Sequence, residues 1–224
     1  MTPLAPALET VEVATGAQPV GSVIWLHGLG ADGHDFEPAV PALVPAGARA
    51  LRFVFPHAPV RAVTLNGGAR MRAWYDILGF DRHVAQDGLG VRASDSAIRA
   101  LIRRENERGI ASDRIVLAGF SQGGAMALFT GTRLAQRLAG IVGLSCYMLL
   151  ADSFAAERQV ANQSTPIFLA HGSLDAVVDP RLGDETRALL EAAAYPVEWH
   201  SYPMPHAVCA EEIAAIGAFL QRVL

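Results

Sequence analysis

Gly119-Phe120-Ser121-Gln122-Gly123 fits G-x-S-x-G, the spacing that lifts a serine hydroxyl onto a tight turn as a nucleophile. The glycines have a steric reason: side chains two residues either side of such a strained serine would crowd the adjoining strand and helix. The pattern alone recurs by chance, so its surroundings matter. Residues 114–118 read as a buried strand and residues 122–138 as a helix, which is the strand–turn–helix the pattern requires. A helix N-terminus beside the hydroxyl favours developing negative charge. A serine hydroxyl nevertheless reacts poorly until a base takes its proton.

In this arrangement the chain order is serine, acid, histidine. His171, His200 and His206 follow Ser121. His171 precedes the acid chosen below, so the order excludes it as the base. His200 lies in the alternating run 197–202, where it is expected to face solvent. His206 lies in Tyr202-Pro203-Met204-Pro205-His206, a loop between the last strand and the last helix, and is the predicted base. The acid should follow the preceding strand, 167–170, which runs into His171-Gly172-Ser173-Leu174-Asp175. Asp175 can fix the imidazole tautomer and stabilise the imidazolium. Asp179, its competitor, precedes Pro180 and reads better as a helix N-cap. Two backbone amides should meet the oxyanion. One is that of Gln122, after the serine. The other is assigned to Leu29, in the His27-Gly28-Leu29-Gly30 loop after the strand at 23–26, with its side chain bordering the acyl group.

Those residues need a frame. Apolar runs at 23–26, 51–55, 114–118, 140–144, 167–170 and 197–202 alternate with amphipathic stretches at 36–43, 91–108, 122–138, 180–194 and 209–224. Near-continuous apolar runs suit strands covered on both faces. Ile98, Leu101 and Ile102 recur on one helical face. The alternation predicts an α/β fold with a mostly parallel central sheet and helices on both faces. Ligands of such sheets sit at the carboxyl ends of the strands, where all the named residues fall. Residues 56–90 break the rhythm. A stretch this long without periodicity is often an active-site cover, or else a meandering loop with one short strand.

Composition excludes other classes. The 224 residues are 51% hydrophobic and 18% charged, which excludes disorder, and one domain is expected over residues 1–224. A net charge of −4 leaves no basic footprint for nucleic acid. Gly28-x-Gly30-x-x-Gly33 mimics a dinucleotide fingerprint, but the acid expected about 20 residues on is missing. There is no phosphate-binding G-x-x-x-x-G-K-[ST] motif. No H-E-x-x-H motif accompanies the seven histidines, and Cys146 and Cys209 form no C-x-x-C, so no metal is expected. Cys209 reads as an inward-packing helix-start residue. The start of the chain lacks a basic n-region, and the most apolar stretch, Gly140 to Ala151, about 12 residues, falls short of the ~20 a membrane span needs. A cytoplasmic protein without an integral membrane segment is expected.

The combined motifs resemble the acyl-protein thioesterase and bacterial phospholipase/carboxylesterase family of the α/β-hydrolases. The matching stretches are Trp25-Leu-His-Gly-Leu-Gly-Ala-Asp32, Asn66-Gly-Gly68, Met71-Arg-Ala-Trp-Tyr-Asp-Ile77, Gly119-Phe-Ser-Gln-Gly-Gly-Ala125, His171-Gly-Ser-Leu-Asp175 and Tyr202-Pro-Met-Pro-His206. The resemblance implies the α/β-hydrolase fold, a triad of Ser121, Asp175 and His206, and Leu29 and Gln122 as oxyanion donors. It also implies that segment 56–90 borders the acyl groove, with Trp74 as a wall and Leu29, Met71 and Trp74 as substrate-binding residues. Ala207 departs from the polar residue common in relatives, and none of the matching stretches falls in residues 1–20. The implied activity is hydrolysis of small or single-chain acyl esters or thioesters, lysophospholipids and acyl-proteins among them, through an acyl-enzyme and without a cofactor. The rivals are hydrolysis of another acyl compound such as a dienelactone, and a non-catalytic ligand-binding protein of the same fold. A homodimer is expected as possible from the apolar composition.

Overall fold

The computed structural model describes residues 8–45, 47–79 and 85–224. Seven strands form one sheet. They are β1 (Thr10–Ala14), β2 (Gly21–Leu26), β3 (Leu51–Pro56), β6 (Ile115–Phe120), β7 (Gly140–Leu144), β8 (Ile167–Gly172) and β9 (Val197–Tyr202), in the order β1-β3-β2-β6-β7-β8-β9. All neighbours are parallel except β1, which runs antiparallel along β3 with Val11 opposite Phe55. The short strands β4 (Val60–Val63) and β5 (Ala69–Arg72) form a separate hairpin.

Six α-helices connect these strands: α1 (Val40–Leu43), α2 (Gly88–Glu107), α3 (Gln122–Arg133), α4 (Ala151–Glu157), α5 (Pro180–Ala192) and α6 (Ala210–Val223). Alternate strand residues feed two apolar cores. Ile24, Leu26, Ile115 and Leu117 pack with residues of α2, α3 and α5 on one face. Val23, Trp25, Val116 and Ala118 pack with α1 and α6 on the other. That two-sided burial explains the continuous apolar runs. Every residue of α3 is buried, so this helix is wedged between the sheet and its neighbours.

The fold class is as expected, and the sequence reading is corrected in detail. β1 was not expected. The 56–90 region holds a two-stranded hairpin rather than one short strand, closed by Asn66-Gly67-Gly68, where both glycines take positive φ (64° and 79°). Residues 80–84 of that region, and residues 1–7 of the N-terminal segment, lie outside those described. The stretch 36–43 is a 3-10 turn followed by one short helix, broken by Pro38 and Pro41. α3 ends at Arg133, five residues early. α2 begins at Gly88, capped by the Asp87 carboxylate accepting from the Gly90 amide at 2.8 Å.

Strand order reverses beside β2: the chain steps outward to β3, then crosses back to β6. Ligand sites of parallel sheets lie at such a switch point. Here it brings the loop after β2 against the turn after β6.

Candidate active site

Ser121 joins β6 to α3 with φ 55° and ψ −120°, a backbone conformation rarely held by a residue with a side chain. Its amide donates to the Leu144 carbonyl (2.8 Å), and its carbonyl accepts from the Ala125 amide (3.0 Å). A Cβ at Gly119 would lie 2.3 Å from the Gly123 carbonyl carbon. One at Gly123 would lie 2.2 Å from the Leu26 carbonyl oxygen. Only glycine at both positions lets helix, strand and turn approach this closely, which is the steric reason anticipated from the motif.

Three distant stretches meet at the hydroxyl. His206 Nε2 lies 2.9 Å from Ser121 Oγ, and His206 Nδ1 lies 2.7 Å from Asp175 Oδ2. A carboxylate accepts and does not donate, so Nδ1 carries the proton and Nε2 is free to accept from the hydroxyl. The Asp175 side chain has no exposed surface, and its Oδ1 accepts from the Val177 and Val178 amides at 2.8 and 2.9 Å. The two loops are sewn together. The Ser173 amide donates to the Tyr202 carbonyl (2.7 Å), and the Leu174 amide donates to that of Met204 (3.1 Å). The Phe120 ring rests 4.8 Å from the imidazole of His206. The arrangement can pass a proton from a serine hydroxyl to a histidine whose positive charge is met by a buried carboxylate.

The loop after β2 lies alongside. A Cβ at Gly28 would stand 3.6 Å from that of Ser121, and Gly123 presses on the Leu26 and His27 carbonyls. The loop is fixed by the Gly30 amide donating to the Arg72 carbonyl (2.9 Å). His27 beneath it is buried and neutral. Its Nδ1–H donates to the Gly28 carbonyl (2.7 Å), while Nε2 accepts from the Ala58 amide (3.0 Å). Burial lowers its pKa, despite the Gly28 carbonyl favouring the charged ring. Leu29 is half-buried at the crest of this loop. The amide of Gln122, the first residue of α3, has no acceptor within its own helix.

Gln122 does more than its amide suggests. Its buried side chain accepts from the Trp74 amide and donates to the Tyr75 carbonyl, both at 2.7 Å. This clamps the 69–79 segment to the serine turn. Trp74 is corrected accordingly. It has no exposed surface and is not a groove wall. Its indole N–H donates to the His27 carbonyl (2.9 Å), and its own carbonyl accepts from Ser94 Oγ. With every polar group satisfied inward, it braces the loop from below. Met71 is half-buried, its sulfur close to Gly30. A cleft of about 740 Å³ opens next to the clamp, lined among the described residues by Tyr75, Ile77, Leu78, Tyr147, Met148 and Leu182 with others. Tyr75 and Tyr147 face each other there with their hydroxyl oxygens 3.2 Å apart.

Asp179 caps α5, accepting from the Arg181 amide (3.0 Å). His200 is half-buried rather than solvent-facing, its ring stacked 4.7 Å from that of Phe168. Cys209 occupies the N-cap of α6 and is half-buried, and both cysteines are free thiols. Among the described residues, no group of three or more His, Cys, Asp and Glu is placed to hold a metal ion, and no helix is long and apolar enough to cross a membrane. The sequence reading did not foresee the Gln122 clamp or the contact of His171 with Asp175. The position of Gln122 inside G-x-S-x-G hinted at a role for its amide only.

The profile of the phospholipase/carboxylesterase family matches residues 8–224. The chain belongs to that family. It is 42% identical over 217 residues to acyl-protein thioesterase 1 of Neurospora crassa, covering 93% of this chain and 89% of the relative. It is 37% identical over 222 residues to acyl-protein thioesterase 1 of Yarrowia lipolytica, covering 97% and 98%. Among solved structures, Arabidopsis thaliana SOBER1 superposes with a TM-score of 0.85 at 27% identity, over 91% of this chain and 98% of that one. Acyl-protein thioesterase 2 of Zea mays superposes at 0.84 and 27%, over 96% and 98%. The fold is therefore that of the α/β-hydrolases, and the chain is a hydrolase of the esterase/thioesterase family.

Proposed function

We propose that this member of the family hydrolyses small or single-chain acyl esters and thioesters through an acyl-enzyme formed on Ser121, with residues 8–224 acting as one catalytic domain. The observation that carries the proposal is the unbroken line from Ser121 Oγ through both nitrogens of His206 to Asp175, at 2.9 and 2.7 Å. In this reading Ser121 attacks the carbonyl as His206 Nε2 takes its proton, and Asp175 stabilises the imidazolium. The oxyanion forms against the Leu29 and Gln122 amides; losing one oxyanion donor costs roughly 2.7–4 kcal/mol in the best-measured enzyme. His206 then protonates the departing alkoxide or thiolate, and water repeats the sequence to release the acid. The acyl group extends past Leu29 and Met71, and the cleft beside Tyr75 and Leu78 takes its chain. The relatives named acyl-protein thioesterase support a thioester of an acylated protein among the substrates.

None of these steps needs a cofactor, and a cytoplasmic setting suits the two free thiols. In this reading two copies of the chain pair. Leu174 and Val177, both more than half exposed beside Asp175, offer apolar surface for it. A single monomer-sized boundary in sedimentation velocity at micromolar concentration would count against it.

The test of the activity is hydrolysis of p-nitrophenyl acetate and butyrate by wild type and Ser121→Ala. The variant should lose a factor of roughly 10⁴–10⁶ in kcat. Equal rates would overturn the proposal and favour a binding protein.

A further inference from the structure

We propose that His171, set aside as a base because of its place in the chain, is a positioning residue that holds Asp175 in the plane His206 needs. The inference rests on the serine-hydrolase reading above. His171 is the penultimate residue of β8, is buried, and has its Nε2 beside two oxygens of the loop that follows. The Val178 carbonyl is 3.0 Å away and Asp175 Oδ2 is 3.4 Å away. A carbonyl only accepts, so Nε2 carries the proton and gives it to Val178, while the oxygen that His206 binds lies within electrostatic reach of the same nitrogen.

The lone-pair inventory gives that contact its meaning. A carboxylate offers about four acceptor positions, and a buried one must fill them. Two on Oδ1 go to the Val177 and Val178 amides, and one on Oδ2 goes to His206. His171 faces the fourth across 3.4 Å, its one N–H bonded to Val178 and its positive hydrogen edge set against Oδ2 as an electrostatic contact. Its bond to Val178 also closes the loop that carries Asp175, fastening the end of β8 to the residues just before α5. Without it, the carboxylate keeps its two amide anchors on one oxygen, while the oxygen facing His206 loses its second restraint. The surroundings are cut to fit. A Cβ at Gly183, on α5, would lie 2.5 Å from His171 Nδ1, so only glycine there leaves the ring its place.

Misplacing a reacting group by about 1 Å can cost on the order of 100-fold, with little effect on binding. The experiment measures kcat and KM on p-nitrophenyl butyrate for wild type, His171→Phe, His171→Asn and His171→Gln. Circular dichroism checks folding, and proton NMR reads the low-field His206 Nδ1–H resonance. Gln places an N–H at nearly the reach of Nε2, whereas Asn is one bond short and Phe has no donor. Phe and Asn should lower kcat about 10- to 100-fold with KM changed less than about 2-fold, and should broaden or shift that resonance. Gln should recover most of the rate and the resonance. If Phe does not fold, the comparison of Gln with Asn decides alone. Equal kcat in Gln and Asn, or losses that appear only in KM, would overturn the role of His171. Wild type that neither turns over ester nor takes a fluorophosphonate on Ser121 would instead overturn the serine-hydrolase reading itself.

Discussion

Glu212 lies fully buried in the first turn of α6 with neither carboxyl oxygen in hydrogen-bond geometry with a protein donor. Burial pushes its pKa up to about 8, only partly offset by the nearby Cys209 amide. The folded state thus holds this proton more tightly than the unfolded chain, whose ordinary value is 4.5. Its contribution is fully present below pH 4.5 and is lost as pH rises to about 8. The stability of wild type relative to Glu212→Gln should therefore fall by a few kcal/mol between pH 4.5 and 8.5 in urea unfolding. A pH-independent difference would show that the carboxyl finds a partner. In the proposed triad, Asp175→Asn offers the wrong group to His206 Nδ1 and should lower kcat about 10³- to 10⁴-fold with the fold intact. Retention of kcat would remove Asp175 from the mechanism. Ser121, Asp175 and His206 were legible because chain order and strand ends constrain them. The Glu212 burial, the His171 contact and the inward turn of Trp74 were not, because each depends on what packs across from it.

At the scale of elements, the serine turn is held by its neighbours on both sides. Gln122 joins it to the segment after β5, and Gly123 lets α3 rest on the loop after β2. Gln122→Leu leaves the Trp74 amide and the Tyr75 carbonyl buried without partners, which should cost about 2–5 kcal/mol for the two groups in chemical denaturation. The backbone amide proposed for the oxyanion is untouched by that change, so ester turnover should fall mainly through mobility of the 69–79 segment. An unchanged midpoint would mean that water replaces the clamp. The strands of the sheet core were readable as apolar runs because burial on both faces makes them so. β1 and the hairpin were not, for a different reason. Both are short and partly exposed, and β1 is fixed by antiparallel pairing with β3 some forty residues away. The Asn66-Gly67-Gly68 turn was visible, but its flanking four-residue strands carry no strong period.

Across the whole molecule, one buried charge ties the long helix to the sheet. Glu105 of α2 is fully buried, and it accepts from Ser22 Oγ (2.6 Å) on β2, Arg52 (2.9 Å) on β3 and Arg108 (2.9 Å). Removing the carboxylate strands the buried Ser22 hydroxyl and takes the partner from Arg52, while Arg108 keeps its two bonds to Glu12. Glu105→Ala should cost about 1–3 kcal/mol by urea unfolding, and no measurable loss would show the cluster to be dispensable. This network lies at the edge of the sheet opposite the candidate site, so kcat should hold while stability falls. At the site edge, the switch in strand order gathers the loops after β2, β6, β8 and β9 around one hydroxyl, and the proposed chemistry depends on that convergence. Fluorophosphonate treatment followed by peptide mass spectrometry tests it most directly. Folded wild type should carry one adduct, on Ser121, and His206→Ala should carry almost none. An unlabelled wild type, or an adduct on any other residue, would contradict the assignment.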